Sequence, residues 1–147
     1  MREVDRSVLI DRSPAEMFTL VDRVEDYPAF LPWCGGTEVH ARDEVRTHAS
    51  IVIQFKGIRQ RFSTDNRKSF PDRIDIELVD GPFRRLDGSW IFLPLGALGC
   101  KVQFQLRYEF SSRMLEKLVG PVFEHIATTF VDAFVERAAV VYRPDAQ

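Results

Sequence analysis

Long apolar runs are missing from this chain. No stretch of its 147 residues approaches the ~20 needed to cross a bilayer, and the longest, Trp90 to Leu98, is broken by Pro94 and Gly96. Cysteine is scarce too: Cys34 and Cys100 stand far apart, form no CxxC pair and cannot build a disulfide framework. The three histidines, His40, His48 and His125, make no HxH or HExxH spacing, so no metal site is expected. A GxSxG elbow, a phosphate-binding P-loop and a GxGxxG turn are all absent, and no catalytic residue is assigned. The N-terminus, Met-Arg-Glu-Val-Asp-Arg, leads into no apolar signal core. A cytoplasmic protein is expected, with contact at the inner membrane's periphery left open.

What is present suits one domain over residues 1–147. Apolar residues make up 45% of the chain, charged residues 29%, and there are 12 phenylalanines. A domain of this size buries roughly 68–70% of its extended-chain surface, so a core forms without cross-links. Charge is uneven along the chain. Residues 1–44 hold five arginines against ten acids, whereas residues 56–85 hold eight cations (Lys56, Arg59, Arg61, Arg67, Lys68, Arg73, Arg84, Arg85) against five acids. A solvated surface is the ordinary meaning of such a run; a nucleic-acid or anionic-lipid contact is the alternative.

The first apolar group, Val8-Leu9-Ile10, predicts a strand. Ser13-Pro14-Ala15-Glu16 then predicts a capped helix start, and Met17, Phe18, Leu20, Val21 and Val24 form its apolar face. From about residue 37 to 110, apolar and polar residues alternate in about six further segments, as in Ile74-Asp75-Ile76-Glu77-Leu78. That period marks antiparallel strands with one wet face. Between Leu115 and Val141 the apolar residues recur at helical spacing, and Gly120-Pro121 is expected to bend this last helix. The class is α+β: a curved sheet of about seven strands, two short helices after the first strand, and a long C-terminal helix covering the apolar face.

Phe104, Phe110, Phe123, Phe130 and Phe134 fall at regular inward positions. Tyr27, Phe30 and Trp33, and then Phe83, Trp90 and Phe92, fall in or beside proline-rich turns instead. With Leu31, Phe55 and Phe123 these rings make the candidate lining of an apolar ligand site. Arg59, Arg61, Arg67 and Lys68 are the candidate contacts to RNA phosphates. Cys34 has no nearby base and reads as a buried thiol.

The segments Tyr27-Pro28-Ala29-Phe30-Leu31-Pro32-Trp33-Cys34 and Gly81-Pro82-Phe83-Arg84-Arg85-Leu86, followed by Gly88, Trp90 and Phe92, carry a family resemblance. So does Gly120-Pro121-Val122-Phe123 near the C-terminus. Across residues 2–142 the chain resembles the ribosome association toxin and coenzyme Q-binding protein family, within the START and polyketide cyclase-like superfamily. The resemblance implies a helix-grip fold with a hydrophobic cavity, and a START-like ligand-binding domain. It implies an isoprenoid quinone such as ubiquinone, or another lipid, as bound ligand, in support of respiratory quinone function, with no cofactor required. The bacterial branch equally implies binding to the large (50S) ribosomal subunit, which blocks subunit association. A cyclase or dehydrase activity is a third implication, and Arg107 and Glu109 are expected on the opposite face from Tyr108. The oligomeric state is not legible. The apolar turn Leu95-Gly96-Ala97-Leu98-Gly99 reads as a membrane- or ligand-facing lip.

Overall fold

The computed structural model describes residues 1–97 and 99–142. Seven strands form one antiparallel sheet: β1 (Arg2–Ile10), β2 (Cys34–Arg42), β3 (Arg46–Phe55), β4 (Ile58–Ser69), β5 (Arg73–Asp80), β6 (Phe83–Leu95) and β7 (Gly99–Phe110). Their spatial order is β1-β7-β6-β5-β4-β3-β2. Every connection from β2 to β7 is therefore a hairpin to the next neighbour. The chain order is interrupted once, where β1 pairs with β7 and the helical segment crosses to the far edge. α1 (Pro14–Asp22) and a 3-10 helix (Val24–Ala29) make that crossing, and α2 (Arg113–Val141) closes the fold.

Local chemistry explains the boundaries. The Ser13 hydroxyl accepts from the Glu16 amide at 3.1 Å and the Glu16 carboxylate accepts from the Ser13 amide at 2.9 Å, a complete capping box with Pro14 at the first helical position. Lys56 and Gly57 both take positive φ, 50° and 81°, giving the two-residue turn whose twist suits the β3–β4 hairpin. Gly88 sits where β6 and β7 approach closely; a Cβ there would lie 2.4 Å from the Gln105 carbonyl oxygen.

The period-two pattern sorts the sheet into two faces. Ala49, Ile53, Phe62, Ile74, Leu86, Trp90, Val102, Phe104, Leu106 and Tyr108 are buried on the inner face. α2 covers this face with Val119, Phe123, Ile126, Ala127, Val131, Phe134 and Ala138, lying mainly against β7 and β1. α2 is long and apolar enough, by length and composition, to cross a membrane. Its apolar stripe is already committed to the sheet. The helix continues through Pro121, and since Pro121 and Lys117 are both exposed, water can meet the carbonyl that proline leaves unpaired. Within the apolar turn at residues 95–99, Leu95 and Ala97 are exposed, and Leu98 lies outside the described residues.

Candidate functional site

Between α2 and the inner face lies a small apolar cavity of about 60 Å³, lined by Phe62, Ile76, Leu86, Phe104, Leu106, Phe123, Ile126, Ala127 and Phe130. It is far smaller than the ~300 Å³ or more of an ordinary ligand pocket, and its lining is wholly apolar. Aromatic clusters flank it on both sides. On one side, Trp90 packs against Phe104 (4.6 Å between ring centroids), Phe134 (5.3 Å) and Phe130 (5.6 Å). Trp33 joins through Phe130, and Tyr27 and Phe30 through Phe134. On the other side, Phe83 packs against Phe123 at 4.9 Å and Phe62 at 5.8 Å.

The candidate lining residues thus fall into different places. Phe123 lines the cavity directly. Trp90, Phe92 and Leu31 are buried to within 1% of their surface, with Phe92 packed on Phe18 rather than on the cavity. Tyr27 and Trp33 are buried, Phe30 is half-buried with the Arg137 guanidinium 5.1 Å over its ring, and Phe55 stacks on His125 at the hairpin end. Phe62, which no sequence motif marks, lines the space together with Phe104 and Phe130, whose spacing predicts core positions. The signal was available, because Phe62 shares its face with every second residue of β4.

That same face turns polar toward α1. Thr64, Asn66 and Lys68 follow Phe62 at every second position. Lys68 is buried and its ammonium reaches Asp22 at 3.3 Å, while the Thr47 hydroxyl donates to the other Asp22 oxygen at 3.2 Å. Lys68 is accordingly absent from the basic outer surface on which the sequence had set it beside Arg67, because adjacent strand residues point to opposite faces. The Asn66 side-chain oxygen is shut off from solvent and has no hydrogen-bond partner.

The Tyr27 hydroxyl donates to the Val21 carbonyl at 2.6 Å, and burial raises its pKa well above the ordinary phenol value. Burial likewise pushes the Cys34 and Cys100 thiols up, away from the thiolate form that a nucleophile needs. Tyr108 faces inward and is buried, whereas Arg107 is exposed and pairs with Asp87 on the outer face. On β2–β4 the outer face carries an acid–imidazole–hydroxyl series. His40 Nδ1 lies 3.4 Å from Glu38, His40 Nε2 lies 2.6 Å from Ser50 Oγ, and Ser50 Oγ lies 2.6 Å from Ser63 Oγ. The order is that of a hydrolase triad, but Ser50 is 1% exposed and tied to Ser63, so its hydroxyl offers substrate no surface. His48 packs on His40 with centroids 4.8 Å apart. Among the described residues no group of three or more His, Cys, Asp or Glu is placed to hold a metal ion.

The outer face is otherwise a lattice of opposed charges. Arg46 pairs with Asp65, Arg73 with Asp75, Arg84 with Glu109 and Arg107 with Asp87. An open hollow of about 540 Å³ crosses it, walled by Glu3, Asp5, Asp75, Glu77, Arg67 and Arg107 among others. Arg59 and Arg61 lie together near the β3–β4 turn. The β5–β6 turn at Gly81 packs against Phe62 and the Arg61 carbonyl, which brings Arg84 and Arg85 to the same end. Arg67 lies six residues further along β4, ~20 Å away at the usual strand rise.

With this geometry in view, comparison with known proteins is specific. Residues 10–135 match the family described as polyketide cyclase/dehydrase and lipid transport. The ribosome association toxin RatA of Vibrio cholerae is 42% identical over 142 residues, spanning 97% of this chain and 99% of that one. The mitochondrial coenzyme Q-binding protein COQ10 homolog B of Xenopus laevis is 26% identical, covering 95% of this chain and 59% of that protein. Among solved structures, the Zhui aromatase/cyclase from Streptomyces sp. R1128 superposes with a TM-score of 0.81, covering 99% of this chain and 98% of that one at 13% identity, which shows a shared fold. A seven-stranded sheet gripping one long helix and a near full-length match to a toxin relative lead to one placement: the chain belongs to the polyketide cyclase/dehydrase and lipid transport family, on its ribosome association toxin branch.

Proposed function

We propose that the protein binds the large ribosomal subunit and hinders its pairing with the small one. The near end-to-end 42% identity to the Vibrio cholerae toxin carries this reading. The cations gathered near the β3–β4 turn give it a surface. Arg59 donates to neutral Gln54, and Arg61 reaches Glu38 at only 3.5 Å, so both keep donors for phosphate. A cytoplasmic location goes with it. The test is co-sedimentation with 50S particles at low salt, comparing the unaltered protein with an Arg59→Glu/Arg61→Glu variant. The reading expects the protein to travel with 50S and the variant to lose most of that binding. Equal sedimentation of the two would remove this surface from the proposal, and no sedimentation of either would remove the proposal.

A second reading has its own support: an apolar ligand held inside the grip. The coenzyme Q-binding relative and the all-apolar lining of the cavity favour it. A quinone ring or isoprenoid tail exceeds 60 Å³, so binding would require α2 to draw away from β4 and β5. Trp33 and Trp90 both touch Phe130, whose ring lines the cavity, and should report such an event. Titration with a short-chain ubiquinone analogue should quench tryptophan fluorescence saturably; a flat titration counts against ligand binding.

A further inference from the structure

We propose that Asn66 forms a hydroxyl-recognising subsite at the polar end of the grip, so that the site takes apolar molecules in a hydroxylated form, such as an alcohol, phenol or hydroquinone. This rests on the second reading above, that the grip holds an apolar ligand. Three observations carry it. First, Asn66 lies on the inner face of β4 with Phe62, and stands directly opposite Ile76 in the β4–β5 ladder; Phe62 and Ile76 both line the cavity. The polar group is therefore one rung from the apolar wall. Second, the Asn66 oxygen is closed to solvent with no donor aimed at it, an arrangement that costs the folded state and needs a reason. Thr47, its neighbour across the β3–β4 ladder, cannot supply one, because its hydroxyl is committed to Asp22. Third, Lys68, two residues on and on the same face, is buried with its ammonium on Asp22 alone among the described residues. An ammonium has three donors, so two remain.

An orphan acceptor two residues from spare donors on one strand face is complementary to a group that both donates and accepts. A hydroxyl does both: it gives its hydrogen to Asn66 and takes one from Lys68. A quinone carbonyl or an ether only accepts, and would leave Asn66 unpaired. The selectivity thus follows from the pairing of an acceptor with an ammonium, and not from cavity shape.

The grip must widen for any ring, so the probes are small single-ring molecules. Titration calorimetry with 4-propylphenol and 4-propylanisole compares a hydroxyl with its methyl ether, which keeps the acceptor oxygen and lacks the donor. The phenol is expected to bind about tenfold more tightly than the ether. In Asn66→Leu that preference should vanish, and the variant should melt about 3 °C higher because the orphan is gone. Equal affinity of the two probes for the unaltered protein overturns the Asn66 subsite while leaving an apolar site. Binding of neither probe removes the apolar site as well. A phenol preference that survives in Asn66→Leu also overturns it. Were that variant unable to fold, the comparison of the two probes on the unaltered protein would still decide.

Discussion

Residues 67 and 68 on β4 show how sharply one position divides roles. Arg67 is exposed, whereas the Lys68 side chain is 5% exposed and its partner Asp22 20%. Removing one member of a buried pair leaves the other charge without compensation. Lys68→Met should therefore destabilise the protein by about 2–3 kcal/mol, below the 3–5 kcal/mol of fully enclosed pairs because Asp22 retains some solvent. Arg67→Met, on the outer face, should change stability by no more than about 0.5 kcal/mol. Urea unfolding of the two variants measures both; similar losses would mean that the inner pair adds nothing special. The sequence could show this in principle, since strand alternation alone sends the two neighbours to opposite faces. What it could not show was that the inner cation would find Asp22, forty-six positions away on α1. Charge runs read along a chain merge the two faces of a strand.

At the scale of elements, the boundary signals were legible and the long-range ties were not. Ser13-Pro14-Ala15-Glu16 gives the cap that is seen, and alternation marks the six strands β2 to β7, which pair as successive hairpins, while the pairing of β1 with β7 is not legible from it. The 3-10 helix over Val24–Ala29 was legible only as a short proline-limited piece, because its shape depends on what holds it from outside. Arg42 at the end of β2 is that tie: its guanidinium donates twice to Glu25 at 2.8 Å and once to the Asp22 carbonyl at 2.9 Å, fastening the edge strand to the helical crossing. The Arg42 hydrogen bonds lower the Glu25 pKa from 4.5 to about 2. A carboxylate whose folded pKa lies below its unfolded one stabilises the fold at higher pH. That contribution is complete above about pH 4.5 and disappears as pH falls toward 2. Glu25 is 43% exposed, so solvent screening holds its worth to about 1 kcal/mol or less. Arg42→Gln should lower the urea midpoint at pH 7 and reduce its decline between pH 4.5 and pH 2. An unchanged acid profile would show that the clamp is not coupled to folding.

For the whole molecule, the sheet separates two surfaces, one for each functional reading. The inner face and α2 enclose the apolar cavity and its polar end. The outer face, with Arg59 and Arg61 near the β3–β4 turn, is where a ribosomal contact would be made. Twelve phenylalanines in the sequence announced a large aromatic interior, but composition could not say how much of that interior was space. The rings interlock so closely that the cavity between Phe62, Phe104, Phe123 and Phe130 is only about 60 Å³, a result of side-chain packing that no periodicity reports. On the reading that ligand entry separates α2 from β4 and β5, the candidate ribosomal cations sit on the far side of β4, whose ladder to β3 runs without a register shift. A ligand alters a distant affinity only through a difference between two states of the element that connects them. Because α2 rests mainly on β7 and β1, its movement away from β4 leaves the outer register of β3 and β4 unchanged. Saturating 4-propylphenol should therefore shift the 50S affinity by less than about twofold, roughly 0.4 kcal/mol of coupling. Sedimentation with and without the phenol measures this directly. A larger shift would mean that the sheet itself changes when the grip is filled, and reciprocity would then require 50S to alter the phenol affinity by the same factor.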